Sequence, residues 1–232
     1  MNRKLILTAV LLAGMTCAAT AQNKDWAKLG RYAESNKTVM AQPQEQRRAV
    51  LLGNSITDNW ARMRPQFFTD NGYVGRGISG QTSYQFLVRF REDVINLHPL
   101  VVVINAGTND VAENTGPYNE DRTLGNIISM AELARANGIK VILSSVLPAA
   151  GFGWNKAVTD APAKIASLNR RIAAYAKEQG LGYVDYFSAL VAEDGKSLRD
   201  DYGRDGVHPK DAGYEVMEPL VKQAIEDCLK RR

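Results

Sequence analysis

The sequence predicts an α/β fold in which a parallel five-stranded sheet lies between two layers of helices. Three observations lead there. Short apolar runs rich in Val, Ile and Leu alternate with longer segments of helical periodicity. The runs are continuously apolar, as strands covered on both faces are, rather than alternating apolar and polar. Polar clusters containing Gly, Ser, Asn or Asp follow the runs, where connecting loops belong.

The length of 232 residues, with 45% hydrophobic and 23% charged, suits one domain with a sizeable core. Residues 1–21 begin with Arg3 and Lys4, continue through an apolar stretch to about Met15 and end in Ala19-Thr20-Ala21. That is the layout of a cleaved secretory signal peptide. The apolar part falls short of the roughly 20 residues a membrane span needs. A lipoprotein anchor at Cys17 competes, but Met15 and Thr16 are bulkier than such a site prefers. The expected product is secreted or periplasmic, without stable membrane insertion. Cleavage leaves Cys228 as the sole cysteine, so no disulfide framework is expected. It also takes Arg3 and Lys4 from the 29 basic residues, leaving 27 against 25 acidic ones. No Lys/Arg block stands out, which argues against a nucleic-acid partner. No feature bears on oligomeric state.

Residues 22–48 are polar and weakly helical and read as an N-terminal arm on a domain of residues 49–232. Strands are predicted at 49–52 (AVLL), 72–78 (GYVGRGI), 100–106 (LVVVINA), 140–146 (KVILSSV) and 182–186 (GYVDY). Helices are predicted from about Thr82 to Leu97, Leu124 to Ala136, Ala163 to Gln179 and Asp211 to Leu229. Tyr84, Leu87, Val88, Val94 and Ile95 give the first of these its helical spacing, and Thr82 with Gln85 forms a capping box. The flavodoxin-like order 2-1-3-4-5 suits five such strands, and in sheets of this kind ligands bind at the carboxyl ends of the strands.

The residues following those ends carry the chemistry. They are Gly53-Asn54-Ser55 after strand 1, Gly77-Ile78-Ser79-Gly80-Gln81-Thr82 after strand 2 and Ala106-Gly107-Thr108-Asn109-Asp110 after strand 3; Asp205-Gly206-Val207-His208-Pro209 precedes the last helix. A serine hydroxyl needs a base to become a nucleophile, and histidine is the usual one. The chain has two. His98 opens strand 3, roughly 26 Å from that strand's far end at about 3.3 Å per residue, so it lies at the wrong edge. His208 is left as the base. Asp205, three residues earlier, can hold one imidazole nitrogen while the other faces Ser55. The backbone amides of Ser55 and Gly80 and the side-chain amide of Asn109 are available as an oxyanion hole, with Gly80 leaving its amide unobstructed. Taken singly, Ser55 reads as a helix cap and Asn109-Asp110 and Asp205-Gly206 as turns. Their joint order at strand and helix boundaries points to catalysis. Asp58 and Asp110 read as structural.

These blocks, Ser55 in GNSIT, Gly80 in GISGQTS, Asn109 in GTND and His208 in DGVHP, resemble those of the SGNH hydrolases, also called the GDSL esterase/lipase family. The resemblance covers about residues 48–228. It implies a three-layer α/β/α fold, a Ser-Asp-His triad and the oxyanion set named above. The arrangement is most similar to the branch of the platelet-activating-factor acetylhydrolase catalytic subunits and bacterial carbohydrate acetylesterases. One position departs: the family's Gly-Asp-Ser-Leu is Gly-Asn-Ser-Ile here, which alters the charge and hydrogen bonding of the serine loop at Asn54.

No metal cluster with ligand spacing, phosphate loop or dinucleotide motif is present in the sequence, and no cofactor is expected. The expected substrate is a small-molecule or glycan ester with a short acyl group, most simply acetyl. A lysophospholipase or thioesterase and a non-catalytic glycan-binding module are the alternatives. Loops 111–122 and 148–160 are expected to line the site, with Trp154 as a substrate-binding residue. Activity is expected to rise with pH through the ordinary histidine range, near about 6.5.

Overall fold

The computed structural model describes residues 25–231. The expected signal peptide lies outside the described residues. The elements run in chain order α1 (Ala33–Met40), β1 (Ala49–Gly53), α2 (Ser55–Met63), α3 (Pro65–Asn71), β2 (Tyr73–Gly77), α4 (Ser83–Asp93), β3 (Val101–Ile104), α5 (Thr108–Val111), α6 (Glu120–Ala136), β4 (Lys140–Ser144), α7 (Ala161–Glu178), β5 (Gly182–Val184), α8 (Tyr186–Leu190) and α9 (Asp211–Lys230). The strands form one sheet in the order β2-β1-β3-β4-β5. Every pairing is parallel, with Leu51 opposite Gly75 and Val103. The predicted architecture and strand order hold.

Side-chain alternation splits the core in two. Val50, Leu52, Val102 and Ile104 point toward α4, α6 and α7 and meet Phe86, Phe90, Ile127, Met130, Ile165 and Leu168. Ala49, Leu51, Val101 and Val103 point to the other face, where Ile56, Trp60, Phe68, Tyr186, Met217 and Val221 cover them. Strands sandwiched this way have no solvent face, which explains their unbroken apolar sequence.

Several local expectations are corrected. The short helices α3, α5 and α8 do not show as periodic patterns, because each spans only one or two turns, whereas α2 carries an apolar face of Ile56 and Trp60 that the predicted helices do not include. Pro65 opens α3 at a position where its missing N–H costs nothing, and Gly72, at φ 66°, closes it. The Thr82/Gln85 capping box is present, but the helix it opens ends at Asp93, and Ile95–Leu97 form a separate 3-10 turn. The buried face of α4 also differs from the one read in the sequence. Val88 is 53% exposed, whereas Phe86 and Phe90 are fully buried together with Arg89 and Asp93. The apolar pattern misled because this helix buries an ion pair on its core face.

The arm is tied down by long-range hydrogen bonds. Gln85 Nε2 donates to the Trp26 carbonyl at 2.8 Å, Gln81 Nε2 to the Ala27 carbonyl at 2.7 Å and Asn36 Nδ2 to Asp93 Oδ1 at 2.9 Å. Tyr32 Oη donates to the Gly77 carbonyl.

Candidate active site

Ser55 is the first residue of α2, directly beyond the end of β1. Asn54 caps the helix, its side-chain oxygen accepting from the Ile56 amide at 2.9 Å. The capping role open to Ser55 in the sequence thus belongs to its neighbour, and the serine hydroxyl is left for other contacts. A carboxylate at position 54 would cap equally well; the amide does so without placing a negative charge beside the hydroxyl. Ser55 Oγ lies 2.8 Å from His208 Nε2.

The histidine is delivered by a short hairpin. Gly203 and Pro209 form an antiparallel bridge, the Arg204 amide donates to the His208 carbonyl at 3.0 Å and the Lys210 amide to the Tyr202 carbonyl at 2.8 Å. Within it, one carboxylate sets both backbone and ring. Asp205 Oδ1 accepts from the Val207 and His208 amides at 3.1 and 2.8 Å, and its Oδ2 lies 2.8 Å from His208 Nδ1. The three-residue spacing is what lets one side chain do both. Burial by itself would raise the Asp205 carboxyl, but donation from the His208 amide and ring and the Val207 amide holds it below its ordinary value. An ionised Asp205 requires Nδ1 to carry the proton, so Nε2 presents its lone pair to Ser55.

On the opposite flank Gly80 adopts φ 82°, and no protein atom lies within 4 Å of the position a β-carbon would take. The left-handed backbone calls for glycine there, and the space beside it is open cleft. Asn109 sits on α5, reached through Gly107 at φ 122°, where a β-carbon would fall 2.7 Å from Val146 and 2.8 Å from Leu168. Asn109 Nδ2 donates to the Gln81 carbonyl at 2.9 Å, which fixes the amide orientation and leaves its second N–H for the cleft.

Behind this loop lies Arg89. Its guanidinium donates to Gln81 Oε1 at 2.6 Å, to the Gly53 and Arg76 carbonyls at 3.0 Å each, and to Asp93 Oδ2 at 3.0 Å. One buried cation therefore ties the strand leading to Ser55, the end of β2 and the residue after Gly80. Asp110, also buried, accepts from the Ser83 amide and hydroxyl and the Thr123 hydroxyl. Burial pushes its carboxyl above the ordinary range against those donors. Asp58 accepts from Ser79 Oγ at 2.8 Å. Both make the structural contacts expected of them.

Ser55, Gly80, Asn109 and His208 converge on one cleft of about 370 Å³, whose other lining residues are Asn59, Ser79, Asn114, Trp154 and Arg204. Loops 111–122 and 148–160 reach it through Asn114 and Trp154. The indole of Trp154 is 49% exposed, its centroid 6.1 Å from the His208 ring. Its Nε1 donates to Asn114 Oδ1 at 2.9 Å, and Asn114 Nδ2 donates to the Gly80 carbonyl at 3.1 Å. Asn114, Asn59 and Arg204 were not singled out in the sequence. Asn59 had a signal, one helical turn beyond Ser55; Asn114 and Arg204 had none. His98 sits after the Ile95–Leu97 turn at φ 47°, its carbonyl accepting from Gln44 Nε2, at the opposite edge of the sheet.

A serine hydroxyl 2.8 Å from a histidine at the carboxyl end of a 2-1-3-4-5 parallel sheet is an arrangement found in the class of ester hydrolases. More particularly, the chain belongs to the GDSL-like lipase/acylhydrolase family, whose sequence profile matches residues 51–216. A crystal structure of a GDSL-like lipase from Bacteroides thetaiotaomicron superposes with a TM-score of 0.85 at 60% identity, covering 88% of this chain and 99% of that one. An acetylxylan esterase from Xylanibacter ruminicola is 26% identical over 228 residues, covering 82% of this chain but 45% of its own length. Esterase TesA of Pseudomonas aeruginosa is 28% identical over 165 residues, covering 69% of this chain and 75% of that protein. The protein is a carboxylic ester hydrolase of this family. No helix among the described residues is long and apolar enough to cross a membrane.

Proposed function

We propose that the protein removes short acyl groups, in the first place acetyl, from a carbohydrate, using Ser55, His208 and Asp205 as a catalytic triad. Ser55 Oγ attacks the ester carbonyl while His208 Nε2 takes its proton. The tetrahedral oxyanion is held by the Ser55 and Gly80 amides and the free N–H of Asn109. Collapse of this intermediate expels the sugar oxygen, which receives the proton from His208. Water then attacks the acyl-serine, with His208 again as base, and the carboxylic acid leaves.

The observation that carries this reading is the unbroken relay, Ser55 Oγ to His208 Nε2 at 2.8 Å and His208 Nδ1 to Asp205 at 2.8 Å, opening onto Gly80 and Asn109. A short acyl group and a polar leaving alcohol are favoured by the cleft wall. Asn59, Ser79, Asn114 and Arg204 supply hydrogen-bonding groups and Trp154 one aromatic face, and among the described residues none of those lining the cleft is aliphatic. The likeness to an acetylxylan esterase supports the same choice. We further propose that residues 1–21 are a cleaved leader that delivers residues 22–48, as an arm, and the domain 49–232 outside the cytoplasm.

The test is a series of chromogenic esters of increasing acyl length, followed by acetylated oligosaccharides, with Ser55→Ala beside the wild type. Fast acetyl release that disappears in the variant is the expected result. Faster turnover of long-chain than acetyl esters would overturn the acyl assignment.

A further inference from the structure

A second cleft adjoins the first, and no step of the proposed reaction uses it. It has a volume of about 240 Å³ and is lined by Trp26, Tyr84, Asp110, Thr115, Tyr118 and Arg122, among others. Its wall is shared with the catalytic cleft at two places. Asn109 faces one cleft and Asp110 the other, and Asn114 faces one and Thr115 the other. Consecutive Cα atoms are about 3.8 Å apart, so the partition is a single chain thick.

The lining is neither an apolar tunnel nor a cation site. Asp110 is its one buried carboxylate, and that carboxylate is already engaged by Ser83 and Thr123. Trp26 is 52% exposed, but its main chain is anchored: its carbonyl accepts from Gln85, and the next residue, Ala27, is buried with its carbonyl bound to Gln81. Tyr84 stands on the first turn of α4, and Thr115 is fixed by a 3.2 Å contact between its hydroxyl and that of Thr82. Arg171 takes up Glu120 and Asp121 at 3.0 and 2.8 Å, and Arg122 has no acidic partner among the described residues. An exposed indole on an anchored chain, a phenol and a guanidinium without an acidic partner among the described residues, around a small hollow of mixed polarity, suit a ligand with an apolar face and a hydroxylated rim. A pyranose ring has both.

We propose that this cleft is a glycan subsite, holding the sugar unit next to the one whose acyl group lies at Ser55, with the chain crossing the Asn114–Thr115 partition. The proposal rests on the carbohydrate reading above. The subsite makes the enzyme distinguish an acetylated oligosaccharide from an acetylated monosaccharide, although both present the same ester to the serine.

Steady-state kinetics of wild type, Trp26→Ala, Tyr84→Ala and Arg122→Ala on 4-nitrophenyl acetate, an acetylated xylose and acetylated xylo-oligosaccharides test this. The expected result is a lower KM for the oligosaccharide than for the monosaccharide in the wild type. Trp26→Ala or Tyr84→Ala should raise the oligosaccharide KM by about tenfold, the size of one lost aromatic contact, with the other two substrates unchanged. Wild type that hydrolyses both sugars with equal KM, or variants that keep the oligosaccharide preference, would overturn the subsite and leave the esterase reading intact. Turnover of 4-nitrophenyl acetate with neither sugar accepted would remove the carbohydrate reading, and the subsite with it. If Trp26→Ala also slows 4-nitrophenyl acetate, it has disturbed the arm; the exposed Arg122→Ala then decides, and an unchanged oligosaccharide KM in that variant overturns the proposal.

Discussion

On one flank of Ser55 the proposed base, His208, is carried by a surface hairpin, with Asp205 47% exposed. On the other, the proposed oxyanion loop around Gly80 rests on Arg89, whose side chain is wholly buried. The two flanks face the same oxygen but are held by different physics. The hairpin's own contacts are local, Asp205 reaching residues two and three positions away, while a single long-range bond, Tyr214 Oη to the Ile56 carbonyl at 2.9 Å, ties α9 behind it to α2. The oxyanion flank is non-local, with Arg89 joining Gly53, Arg76 and Gln81. Local polar contacts near solvent add little to global stability, whereas a buried guanidinium that loses a partner is costly. Damage to the hairpin should therefore lower catalysis with little unfolding, and damage to the buried hub should lower both.

The largest effect belongs to the residue both flanks serve. Ser55→Ala should lower kcat by at least about 10⁴-fold on any ester, with the unfolding midpoint little changed; substantial residual turnover would break the comparison at its centre. Next, Asp205→Asn should cost up to about 10⁴-fold in kcat, because an amide no longer enforces the Nδ1–H tautomer. Its oxygen can still accept from the Val207 and His208 amides, so a thermal melt should be nearly unchanged. Asn109→Ala on the opposite flank should cost about 10²–10³-fold in kcat with little change in KM, the usual consequence of losing one oxyanion donor.

Arg89→Met tests the hub. It leaves Asp93 buried without its cation, and urea titration should show a loss of about 3–5 kcal/mol, with reduced kcat even where the protein remains folded. Unchanged stability would mean that the two flanks do not differ as argued. The smallest effect is the pH dependence of stability at Asp205. Its folded value lies below its unfolded one, so its contribution is complete above the ordinary carboxylate range and is lost as pH falls through the lowered value. Melting curves of wild type and Asp205→Asn should differ slightly at neutral pH and converge in acid.

This contrast also explains what could be read without coordinates. Gly53-Asn54-Ser55, the Gly80 loop and Asp205 to His208 are short stretches at strand ends or before a helix, where the chain must turn and polar residues stand out against apolar runs. A parallel sheet covered on both faces followed from continuous apolar strands alternating with helices, and 2-1-3-4-5 is a common order for five such strands. The Arg89 hub was hidden because its partners are 4 to 36 residues away in the chain. A clue was present in α4, where Phe86, Arg89, Phe90 and Asp93 fall on one helical face, placing a charge pair among phenylalanines. Asn114 and Arg204 gave no such clue, since single polar residues in loops resemble ordinary solvent-exposed ones.

The sequence by itself determined the layered fold and the residues at the carboxyl ends of the strands, because periodicity and turn chemistry act over a few neighbouring residues. Tertiary structure alone decided that a buried arginine supports the proposed oxyanion loop, that the arm holds Trp26 over a second cleft and that Trp154, bonded to Asn114, lies beside His208. Each of those depends on groups distant in the chain becoming neighbours, and burial then makes their hydrogen bonds matter.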